Sequence, residues 1–153
     1  MAAEYTLIVA REHTEEEFRR LWHDEYTSQT IYTHDGILVR FFDDQFDHAF
    51  FESSRRNVSK NSEFHKDTLS FQRLARIKWI KEVLADPEAE MYVGYDHKKN
   101  CYTRSERVSV VKGNYVVVIR IFDDRRAKFI TAYVADNSIS KIKRSPKWHS
   151  TTM

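Results

Sequence analysis

An α+β fold, with helices in the first part of the chain and an antiparallel sheet in the last, is what this sequence predicts. Three observations carry the prediction. Apolar residues recur at i, i+3 and i+4 in two segments before residue 87, the spacing of one helix face. From Met91 the pattern becomes that of strands, in the runs "MYVGYD", "CYTR", "RVSVV", "YVVVIRIF" and "AKFITAYVA". Their connections, "HKKN", "KGN" and "DDRR", are short and polar, which favours a four-stranded antiparallel meander over parallel crossovers. The helices then cover one face of that sheet.

Taken in order, "YTLIVA" reads as a short strand or an apolar arm. In "EHTEEEFRRLWHDEY", Thr14 and Glu17 form a capping box, and Phe18, Leu21 and Trp22 make the stripe of a first helix. Asp35-Gly36 is a hairpin signal. "FDDQFDHAFFESSRRN" shows no clear period, and residues 53 to 65 are polar enough for a loop. The strongest helix pattern is "KDTLSFQRLARIKWIKEVLADP", with Asp67 as N-cap and Asp86-Pro87 as the stop. On a helical wheel Leu69, Ile77, Ile80, Val83 and Leu84 form one broad apolar face. Arg73 and Arg76 fall on that same face, an unusual position for guanidinium groups. The tail "NSISKIKRSPKW" is basic and ends on a tryptophan. No repeat or linker divides the chain, so residues 1–153 read as one domain.

With 153 residues, 41% of them hydrophobic, the chain is long enough to bury a core and too apolar to be disordered. A net charge of +2 is close to balance, so the placement of charge matters more than its sum. The lone cysteine, Cys101, excludes an internal disulfide and has no histidine at a catalytic offset. No run approaches the roughly 20 apolar residues of a membrane span, and the N-terminal apolar run is too short for a signal sequence. The expected location is the cytoplasm, away from membranes.

Much chemistry is disfavoured by what the sequence lacks. Three glycines leave no Gly-rich phosphate loop, and the seven histidines include neither an HExxH nor an i, i+4 helical pair. The pairs Asp43-Asp44 and Asp123-Asp124 have hard-cation chemistry, but each falls where a turn is expected, and aspartate is a routine turn residue. Asp96 and Lys98 have the D-x-K spacing of metal-dependent nucleases, in a hairpin turn instead of on a strand. Acid–base and electrostatic chemistry remains. RNA cleavage needs only that: a base for the ribose 2′-hydroxyl, an acid for the leaving oxygen, and fixed cations around the phosphorane.

Four side chains suit those roles. His48, set among Phe46, Phe50 and Phe51, is a candidate acid or base, expected to be partly desolvated by those rings. Arg73 and Arg76 offer planar forks for a phosphate. Thr131, in "KFITAYV", is placed by strand alternation on a face with Phe129 and Tyr133, where its hydroxyl can bond a phosphate oxygen. Each has a plainer alternative: a semi-buried histidine, arginines that snorkel or pair with carboxylates, a threonine that favours strands.

"FDHAFFES", "RLARIKWIKEVLADP", "VGYD", "NYVVVIRI" and "AKFITAYVADN" together resemble the phage and mobile-element members of the barnase–EndoU–colicin–RelE (BECR) nuclease superfamily. The resemblance covers Phe46 to Trp148 and leaves residues 1–45 as an N-terminal extension. It implies helices packed on a four-stranded antiparallel sheet. It also implies a ribonuclease without metal or other cofactor, a toxin or phage effector acting on tRNA, mRNA or rRNA, with an antitoxin or immunity protein as partner. It carries onto His48, onto Arg73 or Arg76, and onto Thr131 as catalytic residues, and it matches no histidine on the sheet. Lys66, Tyr133, Lys147 and Trp148 are the expected substrate-binding residues, Lys147 by phosphate contact and Trp148 by base stacking. The rival readings are a catalytically inactive RNA- or protein-binding module of the same fold, and a metal-dependent nuclease built on the aspartate pairs.

Overall fold

A computed structural model describes residues 5–52, 68–96, 101–123, 125–135 and 138–148. Helix α1 (Glu15–Trp22) begins at the expected capping box. Thr14 Oγ1 accepts from the Glu17 amide at 3.1 Å, and Glu17 accepts from the Thr14 amide at 2.9 Å. Ahead of it Tyr5 to Val9 is an arm, not a strand of the sheet. The Ile8 amide donates to the Ala75 carbonyl at 3.0 Å, and the Thr6 amide to Glu82 at 3.0 Å. After α1 a π-helical turn (His23–Thr27) buries Tyr26. Strands β1 (Ile31–Tyr32) and β2 (Leu38–Arg40) form an antiparallel hairpin around Gly36, whose φ of 90° disfavours a side chain.

Helix α2 (Gln45–Phe50) leads into β3 (Phe51–Glu52), which pairs with β4 (Thr68–Leu69). The expected loop over 53–65, the Asp67 cap and Lys66 lie outside the described residues. The single helix predicted after residue 67 is instead two, α3 (Phe71–Ala75) and α4 (Trp79–Ala85). Ser70 caps the first, accepting from the Arg73 amide at 3.3 Å. The break has a physical cause in Tyr26. Its buried hydroxyl donates to the Ile77 carbonyl and accepts from the Lys81 amide at 3.2 Å. One side chain thus satisfies an acceptor at the end of one helix and a donor in the first turn of the next. Leu69, assigned by the wheel to a helix face, is on β4.

Strands β5 (Glu90–Asp96), β6 (Cys101–Lys112), β7 (Tyr115–Asp123) and β8 (Arg126–Val134) each pair antiparallel with the next, and α5 (Ser138–Lys143) follows. "CYTR" and "RVSVV" belong to one strand, β6. The sheet is wider than the four strands expected. β2 joins β8 in parallel, Leu38–Arg40 against Arg126–Lys128, giving the order β1-β2-β8-β7-β6-β5. The architecture is mixed α+β with a six-stranded, mostly antiparallel sheet.

The main core lies between the helices and one sheet face. Trp22, 1% exposed, meets the rings of Tyr26, Phe41, Phe50 and Phe129 at centroid separations between 4.7 and 5.5 Å. Its indole N–H donates to the Phe42 carbonyl at 2.9 Å, so the ring is buried without an orphan donor. Phe18, Trp22, Ile37 and Phe41 all come from the first 45 residues, so that segment completes the core. The other sheet face carries a smaller cluster: Tyr92, Val111, Val116 and Ala135 pack with Ile139 and Ile142 of α5.

Candidate functional site

Helix α2 sets the position of His48. Phe46, Ala49 and Phe50 recur at i, i+3 and i+4 and are buried. His48 is two residues, about 200° around the axis, from Phe46, and it is exposed. The expectation that the phenylalanine rings desolvate His48 is therefore corrected: adjacent residues in a helix do not share a face. The helix itself is firmly held. Buried Gln45 donates from Nε2 to the Phe129 carbonyl at 2.6 Å and accepts from the Phe42 amide at 2.9 Å. The Arg19 guanidinium sits 4.6 Å from the Phe46 ring centroid and pairs with Asp47.

Arg73 connects α3 to α2. Its Nη1 donates at 3.0 Å to the carbonyl of Ala49, the residue after His48. Burial raises the phenol pKa of both Tyr115 and Tyr133, and the Arg73 charge opposes the rise at each. Arg76 follows at the end of α3. Its Nη1 donates to the Gln72 carbonyl at 2.9 Å, and its Cζ lies 5.0 Å from the Trp79 ring centroid. Trp79 in turn meets Tyr115 edge-on at 5.2 Å. The Arg76 Nε and Trp79 Nε1 atoms are buried and have no hydrogen-bond partner among the described residues. Among the described residues neither Arg73 nor Arg76 is paired with a carboxylate. Two half-buried cations with donors to spare suit an anionic oxygen.

A bulge decides where Thr131 faces. Val118 pairs with Thr131 but Ile119 pairs with Phe129, so Ile130 is an extra residue and the alternation reverses across it. Phe129 joins the main core, whereas Thr131 and Tyr133, opposite Val118 and Val116, lie on the α5 side. The expected grouping of Thr131 with Phe129 is thus corrected, and of those two neighbours Thr131 shares its face with Tyr133. β2 pairs with β8 only as far as Lys128. Beyond that point the edge of β8 is lined by α2 and α3. Arg73 ties α3 to the chain at His48–Ala49 on the helix side of the sheet, and Thr131 lies one pleat from Tyr133 on the other face of β8.

Lys147 and Trp148 lie elsewhere. Thr131, Val118, Ser109, Tyr92 and Lys147 form one row of paired residues across the sheet. Four strand spacings make that row about 19 Å long. Lys147 is 3.3 Å from Glu90 and holds that carboxyl below its ordinary pKa by hydrogen bonding. Trp148 donates its amide to the Met91 carbonyl at 2.9 Å and packs against the main core. Both line a cleft of about 300 Å³ with His34 and Asp35, beyond the far edge of β5. The fourth expected binding residue, Lys66, lies outside the described residues.

Among the described residues no group of three or more His, Cys, Asp or Glu side chains is placed to hold a metal ion. Asp43 lies 3.1 Å from His23 Nδ1, and Asp123 accepts from Arg126 at 2.6 Å. Asp124 and Lys98 lie outside the described residues. Sequence reasoning missed Gln45, Trp79 and Tyr115. The signal for Tyr115 was a lone aromatic at the head of a valine-rich strand; for Gln45, which becomes a buried amide only once β8 lies beside α2, there was none. The chain matches no protein-family model, no curated protein and no solved structure.

Proposed function

We propose that the protein is an endoribonuclease that needs no metal and cleaves RNA by attack of a ribose 2′-hydroxyl on the adjacent phosphate. The observation that carries this reading is the position of Arg73: it is bonded to the carbonyl after His48 and unpaired with any described carboxylate. In this reading Arg73 and Arg76 stabilise the phosphorane, where fixed cations in a partly dry site act most strongly. Thr131 and Tyr133 orient a non-bridging oxygen. His48, exposed on α2, meets the RNA from the solvent side as acid or base. The BECR resemblance agrees with these roles, with β5–β8 and α2–α4 as the shared part and α1 and the β1–β2 hairpin as additions. A ribonuclease of this kind injures the cell that makes it, so an antitoxin or immunity protein belongs to the proposal, as does action in the cytoplasm on tRNA, mRNA or rRNA.

The test is incubation of purified protein with RNA in excess EDTA, followed by identification of the product ends. Ends bearing 2′,3′-cyclic phosphate that disappear with His48→Ala support the reading. Cleavage abolished by EDTA points to a metal-dependent nuclease, and no cleavage of any RNA to a binding module.

A further inference from the structure

On the α5 side of the sheet, the half that α5 leaves open carries a row of cations. Arg40 on β2 is paired with Lys128 on β8, Lys128 with Arg120 on β7, and Arg120 with Arg107 on β6. Directly paired residues share a face, and all four are exposed. Among the described residues none of them forms an ion pair with a carboxylate. Three strand spacings give the row a length of about 14 Å. Like charges directly opposite one another oppose folding, so four cations abreast are a liability unless something anionic lies across them. Exposed aromatic rings flank the row. Phe42, 43% exposed, has the Lys128 ammonium 5.4 Å from its centroid, and Phe122, 53% exposed, has the Arg126 guanidinium 5.6 Å from its own.

We infer that this open face is a binding track for a single strand of RNA, with the cation row on the phosphates and Phe42 and Phe122 as stacking platforms. Cations that follow a backbone with aromatic rings beside them suit single-stranded nucleic acid, because every base offers a face to stack. An acidic protein would match the charge but has no use for the rings. The track also leads somewhere. Arg120 is two residues from Val118, the partner of Thr131, so a strand on the cations crosses the sheet one pleat from Thr131. The inference rests on the proposed function for that destination, but not for binding itself.

The experiment measures fluorescence anisotropy of a labelled 2′-O-methyl oligouridine, in EDTA, across a salt titration. This probe has no free 2′-hydroxyl and cannot be cleaved by the proposed route, so the result is independent of the cleavage assay. Four phosphate contacts predict a slope of log K against log salt of about −2.8, and Arg120→Ala should reduce its magnitude by about 0.7. The double variant Arg107→Ala/Arg120→Ala should weaken binding about tenfold or more at moderate salt. Phe122→Ala should weaken binding with the slope unchanged, because stacking releases no counterions. Arg11→Ala, on a different surface, should change neither quantity, and none of the variants should lower the melting temperature. An unchanged slope and affinity in Arg120→Ala and the double variant overturns the inference. So does polyglutamate of equal length competing as well as RNA, which would make the face a site for an acidic protein.

Discussion

Arg73 donates to the carbonyl of Ala49 at 3.0 Å, so the helix bearing the first candidate cation is tied to the helix bearing His48. In the proposed role Arg73 binds phosphate as well as bracing the fold, and two assays should separate these effects. Arg73→Ala is expected to reduce single-turnover RNA cleavage about 100-fold or more and to lower stability by about 1–2 kcal/mol through the lost hydrogen bond. Arg73→Lys keeps the charge without the planar fork, so it should restore most of the stability and little of the rate. Equal recovery of both by lysine would make the residue structural.

Gln45 is a buried clamp between α2 and the free edge of β8, with one bond to the Phe129 carbonyl and one to the Phe42 amide. Gln45→Ala strands both backbone groups, and denaturant melts should show a loss of about 2–4 kcal/mol. Because α2 carries His48, the same variant should shift the His48 ring resonances in NMR spectra. A loss below about 0.5 kcal/mol would mean that water replaces the amide without penalty.

Tyr26→Phe removes one oxygen and hardly changes volume, yet it leaves the Ile77 carbonyl and the Lys81 amide without their shared partner. The expected destabilisation is about 1–3 kcal/mol, visible as a lowered urea midpoint. A neutral substitution would show that the break between α3 and α4 does not depend on the hydroxyl.

The break also shows what could and could not be read from the sequence. The Thr14–Glu17 capping box, the Asp35-Gly36 turn and the stop at Asp86 are signalled by neighbours in the chain, and each is present. Three features depend on residues distant in sequence: the split at Arg76–Lys78 on Tyr26, the flip of Thr131 on its register with Val118, and the two extra strands on β2 meeting β8. His48 was misplaced for a local reason. Phenylalanines adjacent in sequence are not surroundings in space, because a helix sends Phe46 and Phe50 one way and His48 another. The cation row was illegible for the same reason as Thr131, since Arg40, Arg107, Arg120 and Lys128 become neighbours only in register.

Tyr5 donates to Asp86, whose carboxyl also lies 3.6 Å from Lys112. The Tyr5 hydrogen bond is the main cause holding the Asp86 pKa below its ordinary value of 3.8. A depressed carboxyl pKa stabilises the fold above the unfolded value, and that stability is lost as pH falls through the folded one. Tyr5→Phe should therefore lower the melting temperature at pH 7, and the gap from the parent protein should shrink as pH falls below the ordinary aspartate range towards the folded pKa. A gap between the two proteins that is constant with pH would show that the effect does not come from the Asp86 charge.

A matched pair of oligonucleotides decides whether the 2′-hydroxyl is the nucleophile. One is all-ribose; the other carries a single 2′-deoxy nucleotide on the 5′ side of the scissile phosphate. In EDTA, the predicted result is scission of the first with a 2′,3′-cyclic phosphate end and no scission of the second at that phosphate. Equal scission of both, or scission only when a divalent cation is restored, would contradict the mechanism assigned to His48, Arg73, Arg76 and Thr131.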